Sequence, residues 1–207
     1  MKLGVDKSQL DGPANYDVMA LRGISFVTMR ASWETYADTA YLNDAPKAMQ
    51  AGLAVMPYHW YKPKIDPVKQ AEVFLASVKN SIANLPPLLD LEDNGRFVGY
   101  KGIATKELKV WLDIVEQKSQ QTPYLYLSPS YCKSYLTDDT FLTRYPIIMA
   151  HWDTSYPLIP KPFTPDNLQA WQFGDNRDAR YYGFLQSKGC ALYVWTGEEY
   201  ETQEWNR

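Results

Sequence analysis

Eight short β-prone runs, most followed by polar or helix-like stretches, restrict this 207-residue chain to a few folds. They are Lys2–Asp6, Ile24–Arg30, Ala54–Tyr58, Leu85–Glu92, Tyr124–Ser128, Ile147–His151, Leu168–Phe173 and Ala191–Trp195. Helical patterns separate the first five. Tyr16–Leu21 is short, and Leu42–Ala51 stops at Gly52, a natural C-terminal breaker. Pro67–Ile82 sets Val68, Ala71, Phe74, Leu75 and Val78 on one face. Thr105–Ser119 starts with Thr105 as a cap and turns Leu108, Trp111, Leu112 and Val115 inward. Beyond the fifth run the pattern changes. Ser130–Leu136 fits one helix, but Thr154–Asn167 holds four prolines and cannot be a regular one.

Such β–α alternation leaves an open doubly wound sheet or a closed (β/α)8-type barrel. Eight runs in a chain at the short end of the barrel range predict an α/β barrel with degenerate last helices. No Gly-rich phosphate loop follows the first run, which weakens the nucleotide-binding sheet. No internal repeat or linker interrupts the pattern, so residues 1–207 read as a single domain.

In a barrel of this kind the site lies at the C-terminal ends of the strands. Those ends supply Asp6, Arg30, Tyr58-His59-Trp60, Asp90, Glu92, Ser128, His151-Trp152, Trp171-Gln172 and Trp195. The sharpest signal is Asp90-Leu91-Glu92. Residues i and i+2 of a strand share a face about 6.5–7 Å apart, so the two acids point together. Two carboxyls in a part-buried site cannot both ionise freely, and one should keep its proton near neutral pH. A general acid for glycosidic cleavage needs that property. A solvated acidic strand end, or a metal-binding pair, would carry the same short motif.

Composition excludes several classes. A formal net charge of -3 and a pI of about 5.4 argue against nucleic acid. No apolar run approaches the roughly 18 residues of a membrane span, and no h-region precedes Asp6. His59 and His151 are the only histidines, too few for a three-histidine zinc site, and His59 reads as structural. Cys132 and Cys190 read as packing residues, and no G-x-S-x-G elbow is present. Seven Trp and 16 Tyr suit a surface that stacks on sugar rings.

Taken in order, a set of segments resembles glycoside hydrolase family 25, the muramidase-type lysozymes of phage endolysins and bacterial wall enzymes. They are Gly4–Ser8, Phe26–Ser32, Ala48–Leu53, Pro57–Trp60, Gln70–Leu75, Leu88–Glu92, Pro123–Ser128, Met149–Trp152 and Ala170–Phe173. The resemblance implies a barrel that cleaves the β-1,4 bond between N-acetylmuramic acid and N-acetylglucosamine of bacterial peptidoglycan. It implies Glu92 as general acid, Asp90 as the acid that assists the substrate's own acetamido group in a retaining route, and Asp6 as a site-tuning acid. Tyr58, Tyr126 and Trp171 fall where the family lines its sugar groove, and Trp152 joins them as a substrate-binding candidate. Core packing is the other reading of both tryptophans. Arg30 is carried as a substrate contact or as the ion-pair partner of a mouth carboxylate. No metal or organic cofactor is implied.

One departure stands out. Where the family has a further last-strand Asp, this chain has Ala191, with Asp175 or Asp178 as candidate substitutes. The proline-rich stretch Leu158–Pro165 points to a reshaped mouth. The rivals are a chitinase-like enzyme, whose longer D-x-x-D-x-D-x-E pattern is missing because Leu85 and Leu88 occupy its positions, and a non-catalytic glycan-binding module. The tail after Gly197 is too short for a wall-binding domain. The expectations are a monomer without membrane or nucleic-acid partners. It would be made in a host cytoplasm and act on the wall at lysis, or be virion-associated, or be secreted with its leader removed.

Overall fold

The computed structural model describes residues 2–79, 81, 83–92, 103–136 and 140–197; at 103 and 104 it describes the backbone alone. Eight strands close into a ring: β1 (Lys2–Lys7), β2 (Ile24–Trp33), β4 (Ala54–Trp60), β5 (Leu88–Asp90), β6 (Tyr124–Leu127), β7 (Ile147–Ala150), β8 (Leu168–Asp178) and β9 (Gly189–Trp195). A two-residue strand, β3 (Tyr36–Ala37), hairpins onto the end of β2. Neighbours from β1 through β8 run parallel, whereas β9 is antiparallel to both β8 and β1. The barrel is therefore a mixed one. A parallel eighth strand would need a crossover of a dozen or more residues, usually a helix, and the loop over residues 179–188 that joins β8 to β9 holds no helix.

The helices are α1 (Tyr16–Leu21), α2 (Tyr41–Gln50), α3 (Pro67–Val78), α4 (Ile103–Ser119) and α5 (Pro129–Tyr135). Local chemistry sets their ends. Asn15 caps α1 by accepting from Val18 N–H at 3.1 Å, and Asp66 caps α3 by accepting from Val68 N–H at 2.9 Å. Pro67 sits in the first turn of α3 and Pro129 in that of α5, where no N–H is required of them. Gly52 stops α2 with a φ of 83°. Thr105 lies inside α4 and does not cap it, because the helix already begins at Ile103. Ile82, assigned to the third helix from sequence, lies outside the described residues. Between β7 and β8 only a 3-10 turn at Pro165–Asn167 remains, as the prolines require. No helix among the described residues is long and apolar enough to cross a membrane.

Strand alternation divides the core in two. Outward residues such as Val27, Leu89, Leu125 and Met149 pack with Phe74, Trp111 and Leu112 of the helices. Inward residues Phe26, Met56, Leu88, Ile148, Ala170 and Trp195 fill the barrel floor, where Phe26 meets Trp195 edge-on at 5.6 Å and 83°. Gly4 leaves room for that floor: a Cβ there would overlap the Phe26 ring, which Tyr193 and Trp195 hold in place. Gly4→Val is expected to cost about 1–3 kcal/mol through overpacking, read as a lower thermal midpoint, whereas Gly23→Ala meets open space and shows only the strain of its positive φ.

Candidate active site

Above the floor the inward positions turn polar. Parallel register brings Tyr58 beside Leu88, Trp60 beside Asp90, and Asp90 beside Tyr126. Antiparallel pairing brings Gln172 opposite Tyr193, and Tyr193 opposite Gly4. The result is a cavity of about 40 Å³ lined by Asp6, Thr28, Tyr58, Leu88, Asp90, Glu92, Tyr126, Gln172 and Tyr193. It adjoins a groove of about 700 Å³ that shares Glu92 and Tyr126 and continues along Ser128, Ser130, His151, Trp152 and Asp153. Another groove of about 600 Å³ lies between α3 and α4, but its walls are largely apolar and none of the paired acids reaches it.

Three of the sequence-assigned acids thus meet in one place. Asp6 accepts a hydrogen bond from Thr28 Oγ1 at 2.8 Å and one from Tyr58 OH at 3.4 Å. Burial pushes its carboxyl up to about 7; Thr28 opposes the rise, Asp11 and Glu92 add to it, and Arg30 opposes it. Asp90 is deeper, and its Oδ1 finds no donor among the described residues. Burial first, then the charges of Glu92 and Asp6, hold it well above the ordinary carboxylate range. Glu92 lies just past the end of β5 and reaches solvent at the mouth. The protein around it still raises its affinity for a proton; the Trp60 indole acts against that, as would the Tyr126 hydroxyl if its proton were turned to Glu92 and not to Gln172. Trp60 Nε1 nevertheless closes no hydrogen bond of ordinary geometry among the described residues, so its effect on Glu92 is a weak one.

A carboxyl that holds its proton more tightly when folded stabilises the fold below its unfolded pKa and loses that contribution as pH rises through the folded value. For Asp6 the window runs from about 4 to about 7. Asp6→Asn is therefore expected to gain thermal stability over the native chain as pH rises from 4 to 8, by on the order of a few kcal/mol. A constant difference between the two midpoints across that range would contradict the assignment.

The remaining assigned residues divide. Tyr58 and Tyr126 line the cavity, and Trp152 lines the groove with 43% of its surface exposed. Trp171 is not brought to the groove. It alternates with the inward Ala170 and Gln172, so it faces outward, donating from Nε1 to His151 O at 2.7 Å and meeting Phe173 edge-on. Arg30 donates from Nε to Asp38 Oδ2 at 2.9 Å and lies over the Trp33 ring. Its ion-pair partner is thus a buried acid from the turn before α2, outside the strand-end set. Ala191 packs against the inner cluster, while Asp175 and Asp178 are exposed on the far part of the β8–β9 ribbon and line neither cavity nor groove. His59 is fully buried between Ser32 and Gln70, stacks on Trp111, and is pushed down to about 4 by burial, which suits a neutral structural imidazole. Cys132 and Cys190 are buried free thiols. Thr28, Tyr193 and Asp38 were not among the strand-end candidates: Thr28 lies mid-strand, Tyr193 on the last strand and Asp38 in a loop.

A closed barrel whose mouth gathers an acid pair, a third acid and aromatic walls is the arrangement of a glycoside hydrolase. The chain belongs to glycosyl hydrolases family 25, whose family profile matches residues 5–180. It is similar in structure to the bacterial lysozyme from Streptomyces coelicolor, with a TM-score of 0.81 and 21% identity over 95% of this chain and 92% of that one. It is similar also to the muramidase from Trichobolus zukalii, with a TM-score of 0.80 and 21% identity over 96% and 95% of the two chains. At such identities these likenesses establish the fold. In sequence it is 24% identical over 145 residues to an uncharacterized Escherichia coli protein, YegX, covering 70% of this chain and 49% of that protein. The chain thus spans about half the length of the curated relatives it matches.

Proposed function

We propose that this chain is a peptidoglycan N-acetylmuramidase that cuts the β-1,4 bond between N-acetylmuramic acid and N-acetylglucosamine, with retention and with help from the substrate's acetamido group. The observation that carries the reading is the placing of two acids of different character at one mouth. Asp90 is buried with an unpartnered oxygen, and Glu92 faces the open groove with a raised proton affinity. Membership of family 25 and structural neighbours described as lysozyme and muramidase support the same substrate class.

In this reaction Glu92 gives its proton to the glycosidic oxygen as the C1–O bond breaks, so that the leaving sugar departs as a neutral alcohol. The acetamide oxygen of the retained sugar, the one that carries C1, attacks C1 and closes a five-membered oxazolinium ring. Its N–H supplies the donor that Asp90 Oδ1 lacks; that bond and the positive charge developing on the ring favour the ionised form that burial disfavours in the free chain, and the resulting carboxylate offsets that charge. Water then opens the ring, returning a proton to Glu92. Tyr58 and Tyr126 bound the reacting sugar and the Trp152 indole face stacks on its neighbour, while Arg30 lends positive charge near Asp6 and Asp90. One chain supplies every group named, so a monomer is the expected active form, acting on the cell wall.

The test is release of soluble muropeptides from purified sacculi of several bacteria, with chitin oligosaccharides in parallel. Release from a wall with chitin left intact fits the proposal. Cleavage of chitin alone moves the assignment to a chitinase-like enzyme. Binding to walls without release from any of them favours a glycan-binding module, the reading that Ala191 keeps open.

A further inference from the structure

Gln172 is buried at the centre of a hydrogen-bond network that the reaction as described does not use. Its Oε1 accepts from Trp152 Nε1 at 2.9 Å and from Tyr126 OH at 3.0 Å, while its Nε2 donates to Tyr193 OH at 2.9 Å. The direction of each bond follows from the indole. Trp152 Nε1 can only donate, so the amide atom facing it must be the oxygen. The same oxygen, having no hydrogen, must accept from Tyr126. The Tyr126 proton is thereby committed to Gln172. What the Tyr126 oxygen can still offer its other neighbour in the cavity, Glu92, is lone pairs.

We infer that Gln172 is a positioning residue that turns the Tyr126 hydroxyl so that it accepts from Glu92 and does not donate to it, keeping Glu92 in its proton-carrying form. The inference rests on the reading of Glu92 as general acid. A hydrogen bond available only to the neutral carboxyl favours that form, whereas a donating hydroxyl would favour the carboxylate. The other half of the amide acts in the opposite sense. With Gln172 Nε2 donating to Tyr193, and Tyr193 OH 3.4 Å from Thr28 Oγ1, the Thr28 proton goes to Asp6 Oδ1 at 2.8 Å. One amide thus separates two neighbouring acids, favouring the proton on Glu92 and the charge on Asp6. Trp152 gains a second role: a groove-wall ring whose N–H fixes the amide.

Several other groups set the charge around Glu92. Asp90 comes from β5, Asp6 from β1, Arg30 with Asp38 from β2 and the turn after β3, Tyr58 from β4, Tyr193 from β9, and His151 and Asp153 from the end of β7. None of these is altered in the variants below, so their contribution is common to all.

The test is a carbon-13 titration of the Glu92 carboxyl, assigned with Glu92→Gln, in the native chain and in three variants. Gln172→Met keeps the length and removes both bonds, freeing Tyr126 to donate to Glu92. The Glu92 midpoint is expected to fall by roughly half to one pH unit. Trp152→Phe keeps the ring but releases the amide to turn, and the midpoint is expected to fall by less. Gln172→Glu keeps an acceptor for both donors and adds a negative charge, and the midpoint should not fall. Near-ultraviolet circular dichroism and a thermal melt establish that each variant is folded. If Gln172→Met does not fold, Trp152→Phe, at a part-exposed site, decides alone. A midpoint unchanged or raised in a folded Gln172→Met, or unchanged in Trp152→Phe when that variant decides, would overturn the inference. The readout needs no wall cleavage: a shifted midpoint in a chain that cuts no wall would sink the muramidase reading and leave the network standing. An unshifted midpoint in an active enzyme would do the reverse.

Discussion

Glu92→Gln is expected to lower cleavage of peptidoglycan by about 10²–10⁴-fold, the usual worth of a positioned general acid. The glutamine keeps the size of the side chain and its place at the mouth, but has no proton to give to the leaving oxygen. Because Glu92 reaches solvent, the exchange should alter thermal stability little. The loss should also depend on the leaving group. A sugar replaced by a strongly acidic phenol needs little protonation, so an activated aryl substrate should recover most of the rate in Glu92→Gln. An equal loss on both substrates would mean that Glu92 does not donate the proton. In the native enzyme activity should fall as pH rises through the raised Glu92 value, and wall turbidity followed across pH would show that alkaline limb.

Asp90→Asn is expected to produce a loss of similar size with the opposite companions. Asp90 serves the acetamide and not the leaving group, so an activated substrate should not rescue this variant. Stability should rise. Asp90 is buried beside Glu92 and Asp6 with one oxygen unpartnered, and its ionised form is disfavoured in the folded chain. A carboxyl of raised pKa stabilises the fold most below its unfolded value near 3.8, and that contribution is lost as pH climbs towards the raised folded value. The stability gained by Asp90→Asn should therefore be small near pH 4 and increase at higher pH, to on the order of 1–3 kcal/mol. Gains of this kind from neutralising an active-site acid are a familiar consequence of a site built for chemistry and not for stability. The two variants together separate the proton donor from the orienting acid, since only one responds to the leaving group and only one changes stability strongly.

Much of the barrel was legible because burial on one face of a strand forces a period of two. Asp6, Asp90 and Glu92 were found at strand ends, and the register then brought them to one cavity. The same rule explains Trp171. Its neighbours Ala170 and Gln172 face inward, so the tryptophan must face out, and a single step along the strand moves the site from an indole to an amide. A strict reading of alternation from Ala170 would have selected Gln172. The antiparallel β9 was legible in principle from the lack of any amphipathic helix between Gly174 and Lys188, since parallel strands need such a crossover. Asp38 left no local trace. It lies in a turn whose sequence is ordinary, and it matters only because the fold buries it against Arg30 and the backbone N–H of Gln9. Long-range pairings of that kind are set by tertiary closure, which no local pattern encodes.

The central claim is that this mouth cuts a muramyl bond, and mass analysis of the ends released from purified peptidoglycan tests it most directly. The account predicts N-acetylmuramic acid at the new reducing ends with the native chain and almost none with Glu92→Gln. New reducing ends of N-acetylglucosamine, or equal release by the variant, would contradict it.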